Sequence, residues 1–242
     1  MRRERLIILL FILVLFLIII GNNIHILKLQ RRLDFLDIDA DAHKKVKKHE
    51  TMIHIEVDNK TLYLLDSDTK EVLKKFTIAT GKSTSPTPLG TFKILSKEKW
   101  GEGFGSRWMG LDVPWGNYGI HGTNKPGSIG LNVSGGCVRM RNSDVEDLFE
   151  HITVGSTVFI SNGPYGPFGY NFRTLIPGDI GADVLEVQKR LQKLNFYKGD
   201  LDGIYGEGMK KGLIDFLKYK NIELTDEITT EIYEAMGIIL ME

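Results

Sequence analysis

The sequence predicts a mainly β domain with short helices over residues 51–161, a small three-helix domain over residues 178–242, and a membrane-spanning helix within residues 1–27. Three observations carry this reading. From Thr51 the apolar residues Ile53, Ile55 and Val57 alternate with Met52, His54 and Glu56, the period of a half-buried strand. After Asp183, Val184, Val187, Leu191 and Leu194 fall on one helical stripe. At the start, Leu6–Ile20 is an unbroken apolar run behind Arg2, Arg3 and Arg5.

That run has no polar face, so a soluble amphipathic helix does not fit. A secretory signal peptide and a spanning helix remain. No Ala-x-Ala-like cleavage site follows, and Ile24–Leu27 extends the apolar stretch beyond Gly21-Asn22-Asn23. The expectation is therefore an uncleaved signal-anchor over residues 1–27, with the arginines cytoplasmic and the remainder outside. Residues 28–50 are charge-rich, with Lys44-Lys45-Val46-Lys47-Lys48 and a helical spacing of Leu29, Leu33 and Leu36. They read as a juxtamembrane tether.

Within the β domain, Asp58-Asn59-Lys60 is a turn between the first strand and Thr61–Leu65, forming a hairpin. Val72–Thr80 and Gly90–Leu95 continue the pattern. Gly101–Gly116 is rich in glycine and is framed by Trp100, Trp108 and Trp115, a loop that either borders a cleft or caps the core. A short helix begins near Asn142 with Val145, Leu148 and Phe149 on one side, Ser143 and Glu146 having the spacing of a capping box. Asn162–Pro177 contains Gly163-Pro164, Gly166-Pro167 and Pro177-Gly178 and reads as a linker. The tail then predicts helices at Asp183–Leu194, Met209–Tyr219 and Asp226–Met236, with Asp183 and Glu186 at capping spacing and Gly237 as a C-cap.

Composition narrows the function classes. Lys+Arg and Asp+Glu both count 31, so no global field favours nucleic acid. The Asn195–Gly208 loop tempts one to a calcium site. With Gly203 as sixth loop residue, however, Lys198 and Met209 stand where an EF-hand needs Asp and Glu. No His or Cys pair has zinc-ligand spacing, so no metal is expected.

Cys137 is the only cysteine, which excludes a disulfide scaffold. A lone cysteine is most often a small buried hydrophobe. Its neighbours argue otherwise. Gly135-Gly136 precede it, Arg139 follows two residues on, and His121-Gly122 lies upstream. A thiol nucleophile needs a base such as histidine, a nearby cation favours the thiolate, and glycines let successive N–H groups converge on one point.

These residues carry a resemblance. His121-Gly122, Asn124–Gly130 and Ser134-Gly135-Gly136-Cys137-Val138-Arg139 resemble the catalytic signature of the L,D-transpeptidases (YkuD-type). The likeness runs from about Thr51 to Ser161, through Thr80-Gly81-Lys82, Thr87–Phe92 and a closing strand at Gly155–Ile160. Many members carry a second histidine where this chain has Gly135. The resemblance implies a β-sandwich with short helices that acts on peptidoglycan stem peptides without a cofactor. It implies Cys137 as nucleophile, His121 as general base, the Gly122 carbonyl as its orienting partner, and the Gly136 and Cys137 amides as oxyanion donors. It implies substrate contacts from Arg139, Ser134, Trp115 and Asn124.

The tail resembles the peptidoglycan-binding domain of wall hydrolases, through Asp183-Val184-Leu185, Gln188, Leu191, Phe196-Tyr197, Gly199, Asp202-Gly203 and Gly206. Met209 and Phe216-Leu217 depart from that pattern. Together these readings imply an enzyme at the outer face of a bacterial membrane forming 3→3 cross-links. An L,D-carboxypeptidase, a wall-binding scaffold with an inactive domain, and a sortase-like enzyme are the alternatives. The last fits least, because sortases usually place a threonine before the cysteine and the arginine well downstream.

Overall fold

The computed structural model describes residues 50–240 apart from Glu102. The expected signal-anchor and tether lie outside the described residues. Among those described, no helix is long and apolar enough to cross a membrane.

Ten strands and one helix build the first domain: β1 Thr51–Glu56, β2 Thr61–Asp66, β3 Val72–Thr77, β4 Thr80–Gly81, β5 Gly90–Lys99, β6 Arg107–Leu111, β7 Tyr118–Thr123, β8 Asn132–Ser134, β9 Val138–Arg141, α1 Asn142–His151 and β10 Thr157–Ser161. Eight strands form one sheet in the order β3-β2-β1-β10-β5-β6-β7-β9, and β4 and β8 make a separate two-stranded ribbon. Pairing is antiparallel except at β1–β10 and β7–β9 in the large sheet and within the ribbon. Alternation decides which side chains go inward: Ile53, Ile55, Leu62, Leu64, Ile120, Val138, Met140, Val158 and Ile160 are all buried in a single core. Val145, Leu148 and Phe149 of α1 join it.

The expected β-sandwich is built on one continuous run of paired strands, with β5 shared between its two halves. Strands from both ends of the large sheet contribute to the same core. Beyond β3, at one edge, the chain reaches Ala79, which exchanges backbone hydrogen bonds of 2.8 and 2.9 Å with Arg139 in β9, at the other edge. The sheet is thus continuous and closed by a bridge. Alternation specifies faces, but not how a twisted sheet curls. The expected capping box is also absent. Arg141 is the N-cap of α1 without a side-chain cap bond, and Ser143 Oγ instead donates to Asp144 Oδ1 at 3.2 Å.

The tail forms α2 Ala182–Lys193, α3 Glu207–Lys220 and α4 Thr230–Ala235 around a second core that includes Val184, Val187, Leu191, Leu213, Phe216 and Tyr233. Gly181 is the N-cap of α2, so Asp183 sits in the first turn, where its carboxylate accepts from Arg173 Nε at 2.6 Å rather than closing a box with Glu186. The segment expected to be a linker belongs to this core. Phe172 stacks on Tyr233 at 4.2 Å, Phe168 meets both rings edge-on, and Leu175 is fully buried. The breaker residues mark where the chain turns, but Phe168, Phe172 and Leu175 still need burial, and the tail offers it.

Candidate active site

The parallel β7–β9 pair organises the site. Ile120 pairs with Val138 and His121 with Arg139. The even-numbered Ile120, Val138 and Met140 are buried in the core. His121 and Arg139 therefore share the opposite face, and Cys137, directly before β9, continues that register beside Gly119. The Cys137 thiol is hydrogen-bonded by the Gly119 backbone.

His121 is 3% exposed. Its Nδ1 lies 2.6 Å from the Gly122 carbonyl oxygen. A carbonyl only accepts, so Nδ1 carries the proton and donates, which leaves Nε2 with its lone pair. Burial pushes the His121 pKa below its ordinary value; the Gly122 contact opposes that shift, the Arg139 cation adds to it, and a Phe104 backbone contact opposes it. Burial likewise raises the Cys137 thiol, against the lowering effects of the Gly119 hydrogen bond and Arg139. Both shifts favour a neutral thiol beside a neutral imidazole at rest. Among the described residues Arg139 has no carboxylate partner.

The loop before Cys137 is braced from inside. Ser134 is buried, and its Oγ donates to the Cys137 carbonyl at 2.6 Å and accepts the Gly136 N–H at 3.0 Å. These bonds bear on two of the expected roles. Ser134 spends its hydroxyl on the loop rather than facing a substrate, and the Gly136 N–H is already engaged rather than open to an oxyanion. Gly136 has φ +118°, and a Cβ there would fall 2.5 Å from the Tyr118 ring. Only glycine combines that backbone with that approach. The β4–β8 ribbon and its following loop support the same turn, with the Lys82 N–H donating to the Ser134 carbonyl at 3.1 Å and the Gly81 N–H to Thr87 Oγ1 at 2.9 Å.

The other expected substrate contacts separate. Asn124 is exposed, and its Oδ1 takes a long 3.4 Å bond from Asn142 Nδ2 at the start of α1. Trp115 is half-buried, meets Phe92 edge-on at 5.9 Å, and lines a cleft that also includes Tyr118.

The loop that the tryptophans mark, left open in the sequence between a cleft border and a core cap, covers His121, and Phe104 joins it. Trp108 stacks on the imidazole at 5.7 Å, Phe104 meets it edge-on at 4.9 Å, and Trp100 stacks on Trp108 at 5.4 Å. Trp108 fits because Gly119 lacks a side chain, since a Cβ there would lie 2.7 Å from the indole. The available signal was Gly119 two residues before His121, on the same strand face. Tyr118 was missed; burial first and the Cys137 sulfur second raise its phenol, while the Trp115 indole acts in the opposite sense.

A buried histidine with an oriented ring, a single cysteine on the same strand face and an arginine without a carboxylate partner among the described residues are the groups that a thiol acyl transfer needs. The family model described as the L,D-transpeptidase catalytic domain matches residues 50–160, a span that contains this whole constellation. Residues 50–160 are thus similar to an L,D-transpeptidase catalytic domain. A model described as a putative peptidoglycan binding domain matches residues 180–236, the helical tail.

The transpeptidase domain is 42% identical over 110 residues to the putative L,D-transpeptidase YkuD of Bacillus subtilis, covering 45% of this chain and 65% of that protein. It is 38% identical over 120 residues to the putative L,D-transpeptidase YqjB of the same organism, covering 43% of this chain and 66% of that one. The chain thus spans just under two thirds of the length of these relatives. Among solved structures, the catalytic domain of the E. faecium L,D-transpeptidase is 27% identical with a TM-score of 0.39, covering 46% of this chain and 97% of that one.

Proposed function

We propose that this chain is a cysteine-dependent peptidoglycan L,D-transpeptidase that forms 3→3 cross-links at the outer face of a bacterial membrane. The observation that carries the reading is the register that sets His121 opposite Arg139 on β7–β9, directly after Cys137, with Nδ1 of the histidine held by the Gly122 carbonyl.

Cys137 Sγ attacks the carbonyl of the third residue, a diamino acid, in a tetrapeptide stem. His121 Nε2 takes the thiol proton as the S–C bond forms. The tetrahedral oxyanion is met by the Cys137 N–H, since the Gly136 amide serves Ser134. Collapse breaks the peptide bond to the terminal D-alanine, whose amine leaves with the proton returned by His121. The thioester is then attacked by the side-chain amine of a second stem. His121 accepts that amine's proton and returns it to the departing sulfur, which restores the thiol and leaves a new amide. Arg139, lacking an ion-pair partner among the described residues, holds a stem carboxylate. The orienting carbonyl does for His121 what a carboxylate does in a triad.

Residues 180–236 direct the domain to peptidoglycan, and the N-terminal apolar run tethers it to the membrane. With water as acceptor, the same thioester would give an L,D-carboxypeptidase. Mass spectrometry of muropeptides after incubation with the purified protein separates these outcomes. New 3→3 dimers are expected. Tripeptides alone would replace the transpeptidase with the carboxypeptidase, and an unchanged profile would leave only a wall-binding scaffold.

A further inference from the structure

A cleft of about 1190 Å³ runs between the transpeptidase domain and the helical tail. It exceeds the usual range of about 300–1,000 Å³ for a small-ligand pocket and suits a segment of polymer. Neither Cys137 nor His121 lines it, but Tyr118 does. The same tyrosine approaches Gly136 and senses the Cys137 sulfur. One end of the cleft therefore abuts the nucleophile loop. The floor is shared by both domains: Trp115 packs so tightly on Gly203 of the tail that a Cβ at Gly203 would fall 2.5 Å from the indole.

The lining chemistry selects the occupant. Three carboxylates, Asp58, Asp179 and Asp183, face three cations, Lys60, Lys82 and Arg173. Most of this charge is spent internally. Arg173 bonds Asp183 at 2.6 Å and Asp179 at 3.0 Å, and Tyr170 Oη donates to Asp58 at 2.7 Å. What remains for a ligand is the Lys82 ammonium, which has no ion pair among the described residues, and a set of neutral groups: the exposed hydroxyls of Ser83 and Thr84, amides such as Asn171, and the rings of Trp115, Tyr118 and Tyr170. Ring faces beside hydroxyls and amides suit a sugar chain, whose pyranose faces are apolar and whose hydroxyl and acetamido groups need hydrogen bonds.

We infer that this interdomain cleft binds the glycan strand of peptidoglycan, aligning it so that an attached stem passes Tyr118 to reach Cys137. The inference rests on the wall-enzyme reading and adds a place for the sugar backbone. Neither domain forms the site alone, so it is distinct from any wall affinity of the tail by itself.

The test is calorimetric titration of the purified full chain with peptide-free glycan strands, prepared by stripping stems from sacculi with an amidase. The wild type is compared with Thr84→Trp, which fills the cleft from an exposed position, and with Trp115→Leu, which removes its largest ring; thermal melting verifies that each is folded. Binding by the wild type, weakened about tenfold or more in folded Thr84→Trp, is the expected result. Absent binding by the wild type, or equal binding by wild type and folded Thr84→Trp, overturns the cleft assignment. Acylation of the wild type by a free tetrapeptide is measured in parallel. Its absence would defeat the transpeptidase reading while leaving the glycan titration to stand or fall separately.

Discussion

The base role proposed for His121 requires a neutral imidazole, and burial under Trp108 and Phe104 makes the neutral form persist to lower pH. The sign follows directly. A lowered pKa means that protonation, and with it loss of the base, begins below the ordinary histidine value of 6.5. Acylation rates measured across pH should hold steady down to that value and fall only beneath it; an acid limb centred above it contradicts the proposed environment. Cys137 is shifted the other way, upward from 9.0. Iodoacetamide should consequently alkylate it at pH 7 more slowly than it alkylates free cysteine. His121→Ala should slow acylation on the order of 10²–10⁴-fold, the usual loss for a general base. His54→Ala and His151→Ala should stay near wild type. His54 does not project freely into solvent as its strand position suggests; it stacks on Phe159 at 5.0 Å and contacts Ser161 Oγ at 3.0 Å. A folded His121→Ala protein that still acylates at the wild-type rate would remove the proposed base. That Cys137, His121 and Arg139 come together was legible in the sequence, because residue type and short spacing single them out. The engagement of Gly136 by Ser134 was not, because it depends on a positive-φ turn that folds the chain back on itself.

At the scale of the elements, the turn ahead of β9 is the component most exposed to a small change. Gly136→Ala places a methyl group against the Tyr118 ring and forces an unfavourable φ. Backbone strain of this type costs about 1–3 kcal/mol, so the melting temperature should drop measurably and acylation should slow with it. An unchanged melting temperature would mean that the loop relaxes freely. The strands themselves were readable: Ile53 and Ile55, or Val138 and Met140, announce a buried face by simple alternation. Closure of the sheet through Ala79 and Arg139 was not, because the pairing joins residues from opposite sheet edges by backbone bonds that any side chains permit. Capping at Ser143 failed for a related reason. The chain enters α1 directly from β9, which puts the N-cap at Arg141, two residues before the Ser143 that the capping pattern requires.

Over the whole molecule, the boundary between domains matters most. Phe168, Phe172 and Leu175 precede the predicted tail yet pack into its core. A truncation at Pro177 would strand these apolar groups, whereas one after Ser161 removes them with the tail. The shorter protein, residues 50–161, should lose binding to insoluble sacculi more than it loses turnover of soluble stem peptides. Equal sacculus binding by the two forms would deny the tail a targeting role. A proline- and glycine-rich stretch identifies where chain direction changes, but which core claims its aromatic residues is a tertiary matter. The central claim is that Cys137 is the acylated nucleophile, and intact-protein mass spectrometry after exposure to a carbapenem tests it most directly. The strained lactam carbonyl stands in for the donor carbonyl, so the wild type should gain the mass of one adduct, and folded Cys137→Ala should gain none. An adduct that persists in the alanine variant would contradict the account.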